Sequence, residues 1–117
     1  MLSGLAQTYD PRHLQRAQNE VAQLGGRIEL ITIPAFRFND ICAQHNINHI
    51  DFLTIDTEGS EERIIRSIDF DAITISVIAV ENNYREPAIR NYLQSHGYIF
   101  LCTIAGDDVY LKSGIFI

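Results

Sequence analysis

Apolar positions recur along this chain first at helical spacing and then at strand spacing. Leu14, Ala17, Val21 and Leu24 lie three and four apart and draw one stripe along a helix from about Asp10 to Leu24. Asp10 suits its cap, Pro11 its first turn and the Gly25-Gly26 pair its end. Arg27 to Ile33 (RIELITI) alternates and is rich in β-branched side chains, so it predicts a short strand stopped by Pro34. Asn39 to His45 predicts a short helix. Ile50 to Ile55 (IDFLTI) predicts a strand and Asp56-Thr57-Glu58-Gly59 a turn. A helix follows from Glu61 to about Ser67, capped by Ser60, with Glu61 and Glu62 suited to the positive end of its dipole. Ile64, Ile65 and Ile68 form its inner face. Ile73 to Val80 (ITISVIAV) has almost no polar alternation, the mark of a strand buried on both faces. Pro87 opens a further helix that ends near His96-Gly97. Tyr98 to Ile104 and Asp108 to Lys112 read as two strands of a hairpin around Ala105-Gly106-Asp107.

Strand–helix–strand units of this kind build parallel sheets, and the closing hairpin must add one antiparallel strand. The expected fold is therefore an α/β layered domain, and 117 residues predict a single one over 1–117. Hydrophobic residues at 46% and charged ones at 21% are enough for a core without disulfides or metal, and argue against disorder. The net charge of −6 speaks against nucleic acid, whose phosphates need a basic face. No apolar stretch approaches the roughly 20 residues of a spanning helix, and Met1 to Tyr9 does not read as a signal peptide, so the expected location is cytoplasmic, with no membrane. Cys42 and Cys102 are expected as buried thiols, not as a disulfide.

In open α/β sheets ligands gather beyond the carboxyl ends of the strands. Asp56 and Glu58 fall just past one such end, and Glu81, Asn82 and Asn83 just past the next. If those strands are neighbours, three carboxylates and an amide share one rim. Shaping a turn and capping a helix is an equally good account of Asp56 and Glu58. Glu81 follows eight apolar-looking positions, where an unpaired charge is expensive, so Arg85 or Arg90 is a possible structural partner. Asp56 with Glu81-Asn82 would also offer oxygen ligands suited to magnesium or calcium. His13, His45, His49 and His96 have no ligand spacing on one helix face and read as surface histidines. No G-x-G-x-x-G, phosphate loop or nucleophile elbow occurs.

The run IDFLTIDTEGSEERII, Ile50 to Ile65, resembles the signature of FkbM-type S-adenosylmethionine-dependent methyltransferases, an apolar strand ending in I-D-x-E-G-x-E before an apolar helix. Asp51, Ile55, Asp56, Glu58, Gly59 and Glu61 match; Thr54 stands where the family often has lysine. IPAFRFNDI, SVIAVENN and SHGYIFL with DDVYLK resemble neighbouring segments of the family, so the likeness runs from Arg27 to Lys112. It implies a Rossmann-like sheet of seven strands, of which this chain carries the second half. Ile50–Asp56 would be the fourth strand, Ile73–Glu81 the fifth and the hairpin the last two. The glycine-rich turn and the second-strand acid that hold the cofactor in such enzymes have no counterpart here, so no cofactor-binding residue is assigned.

The resemblance implies methyl transfer from S-adenosylmethionine, usually to a hydroxyl of a small molecule or glycan. Asp56 and Glu58 would be its catalytic residues and Glu81 and Asn82 its substrate-binding ones. A Glu81-Asn82 pair beside Asp56 is also similar to the magnesium site of catechol-type O-methyltransferases. The alternative is a non-catalytic α/β module, or a subunit completed by a partner chain. Without the family's first strand, Ile50–Asp56 becomes a sheet edge with no proline and with charge only at its ends, which predicts a homodimer through that strand.

Overall fold

The computed structural model describes residues 11–28, 30–82 and 85–115, with no side-chain description for His13. Asp10 and Asn83 lie outside the described residues. The chain clusters into two compact units, Met1–Ala35 with Thr57–Ser60, and Phe36–Asp56 with Glu61–Ile117.

Within the first unit, α1 spans Pro11–Leu24. It ends where Gly25 adopts φ +70° and donates its N–H to the Val21 carbonyl at 3.0 Å, the left-handed stop that glycine makes at least cost. Ala17 is its buried position, and Leu24, at the end of the predicted stripe, is exposed. The strand expected over Arg27–Ile33 does not form in the described residues of that segment. Alternation states which side chains could share a sheet face, but a strand exists only where a neighbour takes its N–H and C=O groups. Leu30, Ile31 and Ile33 are accordingly exposed.

The second unit holds α2 (Phe38–Gln44), β1 (His49–Ile55), α3 (Glu61–Ser67), β2 (Thr74–Glu81), α4 (Ala88–Ser95), β3 (Tyr98–Ile104) and β4 (Asp107–Lys112). The strands form one sheet in the order β1-β2-β4-β3. β1 and β2 are parallel, and β4 is antiparallel to both β2 and β3. β3 is thus parallel to β2, and β4 is slotted between them against the common direction. This is the mixed α/β fold expected from the pattern, with β1 at one edge of the sheet.

The register sorts the side chains into faces, because directly opposed residues point the same way. Leu53, Ile78, Tyr110 and Phe100 form one row across all four strands. Ile78 and Tyr110 in it are completely buried. They join Ile65 and Ile68 from the α3 segment and Leu93 of α4 in the core. The adjacent row on the opposite face is Phe52, Val77, Leu111 and Ile99. There Phe52 is 58% and Ile99 51% exposed. β2 is therefore buried on both sides at Ile75, Ile78, Ala79 and Val80, but half-open at Val77.

Two local devices fix the frame. Asn39 in α2 donates its Nδ2 to the Asp69 carbonyl at 3.2 Å and accepts the Asp69 N–H at 2.8 Å, which ties α2 to the turn after α3. The buried Tyr98 hydroxyl donates to the Ile75 carbonyl at 2.7 Å, and burial pushes its pKa up to about 12. Cys42 is buried as expected, whereas Cys102 is exposed; both are free thiols. Cys102 follows a register shift between Phe100 and Cys102 that leaves Leu101 without a partner on β4.

The hairpin turns on Ala105-Gly106, at φ +50° and +91°. Two positive φ values in a two-residue loop mark a type I′ turn, for which Asn-Gly is the favoured pair. Ala105→Asn is therefore expected to raise the unfolding free energy by about 0.5–1 kcal/mol, measured by urea denaturation.

Candidate active site

The parallel pairing of β1 with β2 decides where the acidic residues go. Ile55 stands opposite Val80, so Asp56 and Glu81 leave the same end of two neighbouring strands. A carboxylate oxygen of Asp56 and one of Glu81 lie within 4.8 Å of each other. The expectation that neighbouring strands would bring these two together is met. Such a pair offers oxygen atoms to a hard cation or paired acceptors to a substrate hydroxyl. Glu58 sits in the turn two residues on, at φ +57°, the left-handed region that non-glycine residues seldom occupy. The turn chemistry that makes acids common before helices thus needs an uncommon backbone here.

Asn82 follows Glu81 at the end of β2, and its carboxamide bonds within the protein. Its Oδ1 accepts the Glu86 N–H at 3.0 Å, while its Nδ2 donates to the Glu86 carbonyl at 3.1 Å and to Asp108 Oδ2 at 3.0 Å. Both ends of the carboxamide are engaged within the protein, and they clamp the segment that follows β2.

The anchor of that clamp is Asp108, which the sequence reading did not single out. Its carboxylate is buried and accepts hydrogen bonds from Thr103 Oγ1 at 2.7 Å, Asn82 at 3.0 Å and Arg90 Nη2 at 3.3 Å. Burial by itself raises the carboxyl's pKa; the bonds from Asn82, Thr103 and Arg90, with the charge of Arg90, outweigh it and hold the group below the ordinary carboxylate value. Arg90, one of the partners expected for Glu81, is thus committed to Asp108, and its guanidinium lies 3.7 Å from the centroid of the Phe100 ring. The signal that would have found Asp108 is its place two residues before Tyr110, which puts both on the core face of β4.

A sequence model described as "Methyltransferase FkbM domain" matches residues 4–100. The chain belongs to the FkbM methyltransferase family. The match takes in β1 and β2, the I-D-x-E-G-x-E block and the first three residues of β3; β4, with Asp108, lies outside it. No curated protein and no solved structure matches the chain.

Membership of the FkbM family implies S-adenosylmethionine. The described residues do not fit its pocket. Close approach of a cofactor to backbone calls for a glycine-rich turn after a strand. Gly25 and Gly26 instead follow a helix, and a Cβ added at either meets nothing within 4 Å. Among the described residues no helix is long and apolar enough to cross a membrane.

Proposed function

We propose that this FkbM-family chain is the acceptor-side, carboxyl-terminal portion of an O-methyltransferase, and that the cofactor-binding half is built from residues beyond those described. The observation that carries this reading is the pairing of Asp56 and Glu81 at the carboxyl ends of adjacent parallel strands, inside the family match. In this reading β1 and β2 correspond to the family's fourth and fifth strands, and the hairpin of β3 and β4 to its last two. Asp56, the first residue past β1, accepts the hydrogen bond of an acceptor hydroxyl, orients its oxygen and holds its proton. Glu81 faces the same acceptor, and Glu58 completes the acidic side of the turn. Asn82 and Asp108 act one step back by fixing the segment that carries the rim.

The test joins this chain behind the glycine-rich first half of an FkbM methyltransferase. The completed sheet is expected to bind S-adenosylmethionine. Asp56→Asn should keep that binding and lower methyl transfer to hydroxylated acceptors by about 100-fold. A joined protein that binds no cofactor, or an Asp56→Asn variant with undiminished transfer, would overturn the reading.

A further inference from the structure

We infer that the cleft between the segment after β2, the first turn of α4 and the β3–β4 hairpin binds the anionic group of a small hydroxylated ligand, a sugar acid or sugar phosphate, through Arg85 and Arg90. The cleft has a volume of about 610 Å³, and Asn82, Arg85, Arg90, Phe100, Thr103 and Asp108 are among its lining residues. That size suits a small metabolite. It opens at the end of the sheet where β2 finishes and β4 begins.

Three observations give it a chemistry. Arg90 is pre-set: Phe100 takes one face of its guanidinium, Asp108 and Tyr110 engage its donors, and its Nε is buried without a hydrogen-bond partner. A guanidinium fixed in this way loses little side-chain entropy when it captures an anion. Asp108 keeps its charge and offsets part of the attraction of Arg90, so capture of an anion also needs Arg85. Arg85 supplies the second cation. Its backbone is held at φ +54° with its N–H on the Asn82 carbonyl at 3.1 Å, and its exposed side chain has no partner among the described residues. A left-handed arginine costs free energy and persists only when its surroundings over-determine it. The Asn82 clamp on both backbone groups of Glu86 does so.

Glu86 also lines the cleft and sets the limit on the ligand. Counted with Asp108, it makes the lining neutral overall: two arginines against two carboxylates. A bare polyanion therefore gains little here. A ligand with one carboxylate or phosphate for the arginines, and hydroxyls that donate toward Glu86, matches both signs. This inference does not depend on methyl transfer.

The test is amide NMR of the whole chain titrated with glucuronate, glucose 6-phosphate, inorganic phosphate and glucose. The two charged sugars are expected to shift the Thr103 and Gly106 amides with Kd on the order of 1 mM. Glucose and inorganic phosphate should bind at least about tenfold more weakly. Arg85→Ala should weaken the charged sugars about tenfold, the loss of one charge-assisted bond, with Arg85→Lys recovering most of it. Arg63→Ala, outside the cleft lining, should change nothing. Equal binding of glucose, no shifts with either charged sugar, or an Arg85→Ala variant that binds like the parent would overturn the assignment. A preference between glucuronate and glucose 6-phosphate tells whether the site takes a carboxylate or a phosphate.

Discussion

Asp108→Ala is expected to lower the unfolding free energy by about 3 kcal/mol, read as a fall in the urea midpoint at unchanged slope. The carboxylate is the common acceptor for Asn82, Thr103, Arg90 and the Tyr110 hydroxyl, so its removal leaves four donors without it. Water can reach part of the Arg90 side chain, 38% exposed, and that keeps the loss below the upper range for a broken buried ion pair. Asp108→Asn keeps the size and one acceptor oxygen, and about half of the loss is expected. The two variants also separate charge from shape through pH. The folded Asp108 pKa lies below its unfolded value. Its contribution is therefore fully present above the unfolded pKa, about 3.9, and is lost as pH falls through the folded one. The parent should lose stability below about pH 4 more steeply than Asp108→Asn. Parallel acid profiles would show that the carboxylate's charge does not support the fold.

The second large effect tests the two faces of the sheet against each other. Ile78→Ala is expected to cost about 3 kcal/mol, because the side chain is fully buried between Leu53 and Tyr110 and its loss opens a cavity. Phe52→Ala removes more apolar surface, one strand over and one position back, yet should cost about 1 kcal/mol or less, since 58% of that residue already meets water. Equal losses at the two positions would mean that the Phe52 row is covered in solution.

What the sequence made legible was local. The helix over Glu61–Ser67 was found with its observed bounds, and β2 and the hairpin within a residue of theirs, because each carries its own period and its own stop signal. The joint position of Asp56 and Glu81 was legible too, since two apolar strands joined by a short helix run parallel. Arg27–Ile33 shows where local reading stops: its alternation is as good as that of β1, but pairing is a property of the neighbour. The Asp108 cluster fails for a related reason. Asn82 and Arg90 lie 26 and 18 residues from it, so only the insertion of β4 beside β2 brings them together.

The half-open row of Phe52, Val77, Leu111 and Ile99 has a calorimetric consequence. Heat capacity rises on unfolding in proportion to the apolar surface newly wetted, and a chain of this length is ordinarily expected to gain about 1.5 kcal/mol/K. Phe52 and Ile99, like Leu30, Ile31 and Ile33, are largely hydrated before unfolding starts. They add little to that change. The stability curve of this protein should therefore be flatter than that of a fully covered α/β domain of equal length, so that cooling weakens it less.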